Sequence, residues 1–516
     1  MRSTFMGLET ARRGMFTQQG ALYTTGHNIA NANTPGYSRQ RINFVQTSPF
    51  PSIGLNRPQL PGQMGTGVAA GSVQRIREGF LDMQYRVENN KIGYYGSLSE
   101  SLLKMEGILN EPTDKGLHST LEKFWSSLQD LAGHTENSGA RDVVAATGQM
   151  VADTFNYYYN SLTRIQKDIG QQIDVKADEI NALVDQINKI NEQISEVEPH
   201  GYLPNDLYDE RDSLVDKLSQ MINIKVTNVK PTNYGNAKEI AEGLYNIEIV
   251  SEDGNSYSPP LNLISVSKAS GIIGTNKLAL VKGSDGLIEN VTVGGKNIPD
   301  FKFKGELLGL IESYGYKQNG NTVGHYPEMI AKINNVAEAF ANEFNNIHKQ
   351  GYALGDTTQS VLDFFVFETG NPNAAQAIKV NETIVKDPTK IAAGDGNGDS
   401  GNNKNAQNLA DLKTKSFSDY SDPKYQTLPG NLDSYYSGII GKLGVDSQSA
   451  QKNLGNSEVL AHSVEYNRQS ISGVSLDEEF TNLIRFQHAY NASARNITTI
   501  DEMLDKIING MGIVGR

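Results

Sequence analysis

The sequence of 516 residues contains no cysteine. It therefore has no disulfide bond, no thiolate metal ligand and no cysteine nucleophile. Its first residues include Arg2, Arg12 and Arg13, but neither a long apolar core nor a small-residue cleavage site follows them. We therefore expect no Sec-type signal peptide, which leaves a cytoplasmic protein and export by a non-Sec route as the alternatives.

Motifs of catalysis and cofactor binding are also missing. The eight histidines form no zinc pattern, and no nucleophile elbow, phosphate loop or Rossmann fingerprint occurs in a suitable context. Residues 395–401 resemble the start of a calcium loop, but Ser400 replaces the glycine and Ala406 replaces the bidentate glutamate, so a solvated loop is favoured. We expect no enzymatic activity, no cofactor and no metal site.

Basic charge is scarce relative to acidic charge. The net charge of -13, from 46 basic and 59 acidic residues, disfavours general nucleic-acid binding, because phosphate binding needs a basic surface. The hydrophobic content of 38 % is that of a protein with ordinary cores, and no run of residues indicates a membrane span. A chain of this length fits about three to four domains.

Matching apolar stripes mark the two ends of the chain. The first stripe repeats at heptad spacing and comprises Leu8, Met15, Leu22 and Ile29. The second is wider and comprises Leu476, Phe480, Leu483, Phe486, Tyr490, Ile497 and Leu504. These stripes predict helices over 1–33 and 476–509 that need a partner, the second with a capping box at Ser475 and Glu478. If the two helices pair, the chain between them forms insertions, as suits a polymer subunit.

The first of these helices contains four glycines, Gly7, Gly14, Gly20 and Gly26. Each costs about 1 kcal/mol relative to alanine in an isolated helix, so this helix should be poorly formed alone. Two interpretations stay open. The segment is either a core helix that tolerates its glycines or a segment that becomes ordered only upon assembly.

The periodicity along the chain predicts an α+β multidomain protein. Long terminal and central helices, such as the one that carries Ile173, Ile180, Ile187 and Ile194 at one heptad position, would form a coiled-coil or helical-bundle shaft with two mainly β insertion domains. The predicted segments are an assembly helix with its turn at 1–40, an extended segment and connector at 41–97, a long helical bundle at 98–224, a β-rich insertion at 225–311, a return helix at 326–350, a variable β and loop insertion at 351–425 and a C-terminal helical region at 432–516. The glycine-rich and asparagine-rich residues 393–408 are expected to form an exposed loop.

The most informative motif is Asn28–Gln40, which reads Asn-Ile-Ala-Asn-Ala-Asn-Thr-Pro-Gly-Tyr-Ser-Arg-Gln. Pro35 and Gly36 occupy the positions that a type II turn prefers, so the helix should end here and Tyr37 should lead into an extended segment. Asn31 and Asn33 can cap the helix end or bond across an interface. An ordinary helix stop explains the proline and the glycine but not the whole asparagine-rich segment.

This motif resembles the N-terminal signature of the bacterial flagellar rod, hook and hook-associated axial proteins. Three further passages, at 205–214, 305–310 and 472–479, are similar to the hook-associated members that join hook and filament. The resemblance covers both ends and the helical shaft, and it is weak over 225–300 and 355–425. Within such a family, the predicted assembly interface comprises both apolar stripes together with Asn31, Asn33, Pro35, Gly36 and Tyr37.

The resemblance implies a structural subunit of the flagellum. Such a subunit is exported by the flagellar type III system, lies outside the cell and forms a junction ring that acts as a mechanical adaptor between hook and filament. The implied partners are hook protein, the second hook–filament junction protein, further copies of the chain and a cytoplasmic export chaperone at the C-terminal helix, with no nucleic acid and no membrane. A flagellin-like filament subunit, another axial hook-associated protein and an enzyme domain inserted at 351–425 are the alternatives.

Overall fold

The computed structural model describes residues 5–51, 62–109, 113 and 116–510. The chain divides into two compact units, each made of non-contiguous segments. Unit 1 comprises Met1–Asn89, Ile180–Lys277 and Glu458–Arg516, and unit 2 comprises Asn90–Glu179 and Leu278–Ser457. Segments from both ends of the chain therefore belong to unit 1.

Helices make up most of the described chain. They are α1 (Phe5–Ala30), α2 (Gly79–Leu109), α3 (Leu117–Gly133), α4 (Ser138–Val197), α5 (Asn205–Met221), α6 (Glu306–Tyr314), α7 (His325–His348), α8 (Ala374–Ala377), α9 (Glu382–Lys386), α10 (Lys404–Asp411), α11 (Leu432–Ser472) and α12 (Leu476–Gly510). The heptad isoleucines of α4 are buried, as expected for a bundle helix. Among the described residues, no helix is long and apolar enough to cross a membrane.

Unit 1 combines helices with two antiparallel sheets. Strands β1 (Gln40–Gln46) and β2 (Val68–Arg75) form a two-stranded ribbon after the end of α1. The second sheet has the order β3-β4-β5-β6, with β3 at Ile224–Val229, β4 at Leu244–Val250, β5 at Ser256–Val266 and β6 at Ile273–Thr275. Tyr208 of α5 and Leu244 of β4 pack with Ile190 and Ile194 of α4 in one buried cluster, which joins this sheet to the helices.

Unit 2 has a phenylalanine-rich core between α3 and α7. Phe124 lies 6.0 Å from Phe340 and 5.3 Å from Phe344, measured between ring centroids. The strands of this unit are β7 (Leu278–Lys282), β8 (Ile288–Val293), β9 (Lys296–Asn297), β10 (Tyr316–Gln318), β11 (Asn321–Val323), β12 (Phe365–Phe367) and β13 (Ile378–Val380). They form a sheet of order β11-β10-β8-β7 with β9 beside β8, and a separate β12-β13 pair.

Three predicted segments differ from the structure. Residues 79–97, predicted as part of an extended connector, form the first turns of α2, where Asp82 in the first turn suits a helix N-terminus. The predicted insertion 225–311 is divided, because its strands up to β6 belong to unit 1 and the later ones to unit 2, and it ends in α6. The insertion 351–425 contains strands of only three residues each, together with short helices.

The predicted exposed loop at 393–408 is wrong in its second half, since Lys404–Asp411 is helix α10. Ala406, Leu409 and Ala410 of this helix are buried at helical spacing. The high content of asparagine and glycine around them hid this short amphipathic pattern.

Candidate assembly site at the paired terminal helices

The terminal helices α1 and α12 pack against each other in unit 1. Their approach is close at two glycines of α1. A Cβ atom added to Gly7 would lie 3.2 Å from Cδ1 of Ile500, and one added to Gly14 would lie 3.0 Å from Oγ of Ser493. The absent side chains therefore set how near the helices come.

The buried face of α1 is made of small and polar residues. They are Ala11, Thr17, Ala21, Thr25 and Asn28. The predicted stripe of Leu8, Met15, Leu22 and Ile29 is half-buried beside this face. Leu22 packs against a buried cluster of Ala21, Ile42 and Phe486, which joins α1 and α12 to the ribbon.

The predicted stripe of α12 divides between covered and open positions. Phe486 is 8 % exposed, whereas Leu476 and Phe480 are 43 % and 50 % exposed. The remaining members of the stripe are half-buried: Leu483, Tyr490, Ile497 and Leu504. The structure therefore brings the two helices together but leaves part of the predicted apolar set uncovered.

Asn28 joins the end of α1 to the ribbon and to α12. Its side-chain amide donates to the carbonyl of Gln40 at 2.8 Å and to Oε2 of Glu479 at 3.0 Å. Its Oδ1 atom accepts the Gln40 N–H at 2.9 Å and the Tyr37 hydroxyl at 2.8 Å. Only 1 % of Asn28 is exposed, so all of these bonds are shielded from water.

Burial and the nearby carboxylates of Asp206, Asp209 and Glu479 raise the pKa of Tyr37, which keeps its hydroxyl protonated as a donor.

Arg39 forms the second connection between the ribbon and α12. Its Nε donates to Oε1 of Glu479 at 2.8 Å, and its Nη1 donates to Oε2 of Glu478 at 2.6 Å. The backbone N–H of Arg39 also donates to the carbonyl of Ser472 at 2.8 Å. Glu478, which was predicted to complete a capping box, therefore binds Arg39 at the start of the ribbon through its Oε2 atom.

The turn after α1 has the predicted form. The Tyr37 N–H donates to the carbonyl of Thr34 at 3.2 Å, and Gly36 between them has a φ of 81°. A positive φ at this position is what a type II turn requires, and it favours glycine. Asn33 and Pro35 are exposed at the tip, while Asn31 accepts a hydrogen bond from the Thr34 hydroxyl at 3.1 Å.

The passage at 205–214 meets the same turn from α5. The Ser38 N–H donates to Oδ2 of Asp209 at 2.8 Å, and the side-chain amide of Gln40 donates to Oδ1 of Asp206 at 2.8 Å. Asn205 donates to the carbonyl of Val73 at 3.0 Å. Three sequence passages that are far apart in the chain thus form one polar junction: Asn28–Gln40, 205–214 and 472–479.

Behind this junction lies a buried network of ion pairs. Arg75 contacts Asp209 at 2.7 Å and Asp212 at 2.6 Å, and Arg86 contacts Asp212 at 2.9 Å. Burial opposes ionisation of Asp212, but the guanidinium groups of Arg75, Arg77 and Arg86 outweigh it and hold the pKa of its carboxyl far below the ordinary value. Asp209 differs, because burial raises its pKa despite the contact with Arg75.

Several large apolar side chains at this site remain uncovered. Phe16 and Tyr23 of α1 are 58 % and 70 % exposed, and Ile484 and Met503 of α12 are 53 % and 58 % exposed. An isolated exposed apolar residue needs no explanation, but a series along two paired helices is typical of a surface that another protein covers. Among the described residues, no group of side chains could hold a metal ion.

The sequence pattern did not identify Asn28, Arg39, Gln40 and Glu479 as site residues, although all four lie in passages that carry the resemblance. Asn28 lies at helical spacing from Ala21 and Thr25 on the buried face of α1, and this spacing was the available signal. A buried asparagine there has to find partners for both ends of its amide.

Comparison with known proteins identifies relatives over the whole chain. The family described as the flagellar hook-associated protein FlgK helical domain matches residues 102–365. The flagella basal body rod protein family matches residues 8–37, and the family of the flagellar basal body rod FlgEFG protein C-terminal region matches residues 467–510. The match to residues 8–37 coincides with α1 and the turn that follows it, and the match to residues 467–510 includes α12.

Individual relatives agree with these matches. Flagellar hook-associated protein 1 of Bacillus subtilis (strain 168) is 44 % identical over 526 aligned residues, which cover 100 % of both chains. The protein of the same name from Escherichia coli (strain K12) is 24 % identical over 97 % of this chain and 99 % of its own. The structure of the flagellar hook junction protein FlgK from Burkholderia pseudomallei has a similar fold, with a TM-score of 0.57 and 13 % identity over 75 % of this chain and 100 % of its own.

Proposed function

Because the chain belongs to the flagellar hook-associated protein 1 family, we propose that it is a structural subunit of the bacterial flagellum that connects the hook to the filament. The observation that carries this proposal is the 44 % identity along the full length of a relative of that name. The matches of both chain ends to rod-protein families support an axial position. The role is that of a passive mechanical adaptor, for which no catalytic step is required.

Assembly would use the exposed faces of α1 and α12. Phe16, Tyr23 and Ile484 belong to helices whose other faces are already packed within the chain. Burying an exposed phenylalanine or isoleucine of this kind contributes about 1.5–3 kcal/mol, so several such contacts per subunit favour ring formation against the loss of translational and rotational freedom. The partners on this surface are neighbouring copies in the ring, hook protein at one end and the second hook–filament junction protein at the other.

Export would precede assembly. The subunit leaves the cell through the flagellar type III system and becomes part of the extracellular flagellum, while a cytoplasmic chaperone covers the C-terminal helix beforehand. The uncovered Phe480, Ile484 and Met503 of α12 supply an apolar face for such a chaperone. Amide hydrogen exchange of the purified monomer, with and without the chaperone, tests this step. Slower exchange over 476–510 upon addition of chaperone is expected, and an unchanged rate would argue against binding there.

The assembly surface is tested by charged substitutions in cells that lack their own junction protein. Phe16→Glu and Ile484→Glu should prevent incorporation into flagella and abolish motility, because each places a charge on a surface that has to be dehydrated. Leu22 and Leu483 are less suitable, since both are half-buried and Leu22 packs within the chain. Tyr157→Glu is the matched control, since Tyr157 is 59 % exposed on α4 in unit 2. Normal motility of both helix variants would contradict the proposed surface.

A further inference from the structure

Two exposed arginines without an acidic partner lie at the junction of the ribbon and α12. Arg41 of β1 and Arg485 of α12 line a shallow depression of about 490 Å³ in unit 1. Within the described residues, neither side chain forms an ion pair, whereas the neighbouring Arg39 is paired with both Glu478 and Glu479.

Two guanidinium groups of the depression remain unpaired within the described residues after Arg39 has bound Glu478 and Glu479. Asp477 is the remaining acidic residue of the lining, so one carboxylate is present for the two guanidinium groups of Arg41 and Arg485. The guanidinium of Arg485 lies 4.9 Å from the ring centroid of Phe486, a cation–π contact that does not require its N–H donors. The edge of a guanidinium group is suited to bidentate hydrogen bonding with a carboxylate.

Three exposed acidic side chains occur near the opposite end of α12, and Asp505 among them accepts a hydrogen bond from the side-chain amide of Asn509 at 2.6 Å. Asp501, Glu502 and Asp505 lie on one exposed side of the helix, and among the described residues they form no ion pair. The last turn of α12 contains no basic residue. A helix dipole favours acidic residues in the first turn and not towards the C-terminal end, so the dipole does not account for these three carboxylates, although Lys506 lies at i+4 from Glu502, the spacing of an ion pair along a helix.

The charge distribution along the chain points in the same direction. Residues 10–77 contain seven arginines and no aspartate or glutamate, although the whole chain has a net charge of -13. Of these, Arg39 and Arg75 are paired with carboxylates within the chain, so among the described residues Arg41 is the unpaired cation that the ribbon presents, and a second copy of this acidic chain is a molecule of opposite sign.

We propose that the Arg41–Arg485 depression of one copy receives the acidic side Asp501, Glu502 and Asp505 of a second copy. The two patches differ, so the contact is heterologous, and a pair of copies keeps one open patch of each sign for the next neighbours. Such a contact repeats around a ring or along a tube. This inference rests on the proposed function, because it takes the self-association of junction subunits as its premise.

Charge exchange tests the contact in cells that lack their own junction protein. The first variant carries Arg41→Glu and Arg485→Glu, the second carries Asp501→Arg and Glu502→Arg, and the third combines all four changes. Isolated flagella are probed for the amount of the chain relative to hook protein. Each one-sided reversal should lower this ratio by about tenfold or more, and the combined variant should restore it to within about threefold of the unmodified chain. Arg164→Glu, at an exposed arginine of α4 in unit 2, is the matched control and should leave the ratio unchanged.

The possible results separate the inference from the proposed function. If the unmodified chain is itself absent from isolated flagella, the proposed function fails. If it is present and the one-sided reversals incorporate normally, or the combined variant incorporates no better than they do, the electrostatic contact is wrong. Thermal melting followed by circular dichroism checks that each variant is folded. If the first variant does not fold, Arg41→Gln with Arg485→Gln takes its place under the same criterion.

Discussion

The missing side chain of Gly14 makes room for Ser493 on the partner helix. A Cβ atom at this position would lie 3.0 Å from Oγ of Ser493, which is closer than ordinary van der Waals contact. Gly26 on the same helix differs, since an added Cβ there meets nothing within 4 Å. The glycines of α1 therefore have two different roles, and only those that face α12 bring the terminal helices together.

Alanine substitutions at these two glycines should have different effects. Gly26→Ala should stabilise α1 by roughly 0.5–1 kcal/mol, because alanine has the better helix propensity and the site is open. Gly14→Ala should gain less, since the Ser493 hydroxyl has to move, and Gly14→Val should destabilise the pair by roughly 1–3 kcal/mol through overpacking. Urea titration, with amide exchange of α1 as a local probe, measures both. A larger gain from Gly14→Ala than from Gly26→Ala would contradict the assigned packing.

Replacement of Asn28 should separate the ribbon from both terminal helices. Asn28→Ala removes the buried hydrogen-bond partner of three groups, which are the N–H and the carbonyl of Gln40 and one carboxylate oxygen of Glu479. We therefore expect the free energy of unfolding to fall by roughly 2–4 kcal/mol. The matched control is Asn33→Ala, at the exposed tip of the same motif, which should cost less than about 0.5 kcal/mol. Urea denaturation followed by circular dichroism gives both values. Equal effects of the two variants would exclude the central role of Asn28.

Much of the secondary structure, but less of the site, could be predicted from the sequence. The two terminal helices are visible because their apolar residues recur at helical spacing over many turns. The buried face of α1 cannot be recognised in the sequence, since Ala11, Thr17 and Ala21 carry no strong apolar signal. They become buried only because α12 comes close. Pairing between Asn28 and Glu479 spans most of the chain, and no local pattern predicts such a contact. The first turns of α2 are a different case, because Phe80, Met83 and Val87 recur there at helical spacing, a signal that the prediction of an extended connector overlooked.

Asp212 should be the most sensitive position in the buried ion-pair network. Its carboxylate contacts Arg75 and Arg86 and accepts a hydrogen bond from the Tyr245 hydroxyl at 2.8 Å. Asp212→Asn removes the charge that compensates these guanidinium groups, so unit 1 should lose roughly 3–5 kcal/mol of unfolding free energy. Glu239→Gln, an exposed acidic position of the same unit, is the control and should change stability by less than about 0.5 kcal/mol. Urea titration monitored by amide exchange in unit 1 decides between these outcomes. A loss below about 1 kcal/mol for Asp212→Asn would mean that the network contributes little.

His348 should make the stability of unit 2 depend on pH. Its Nδ1 lies 3.0 Å from the carbonyl of Leu362, and its Nε2 accepts the Ala392 N–H at 3.0 Å, so the ring is held in its neutral form. Burial lowers the pKa of His348 to about 4, against 6.5 for the unperturbed side chain. Below pH 6.5 the unfolded chain therefore binds a proton that the folded chain does not bind until about pH 4. The free energy of unfolding is independent of this group above pH 6.5 and falls as the pH is lowered from 6.5 towards 4, by about 3 kcal/mol in all.

This dependence is measured by urea titration of unit 2 between pH 4 and 7, compared with His348→Gln. The substituted chain should be less stable at pH 7, because glutamine cannot reproduce both hydrogen bonds, and its stability should fall less steeply below pH 6.5. His134→Gln is the control, since His134 is exposed in the same unit, and it should keep the slope of the unmodified chain. Equal slopes for the unmodified chain and His348→Gln would mean that His348 is not held neutral, and the acid sensitivity of unit 2 would then have to come from its carboxylates.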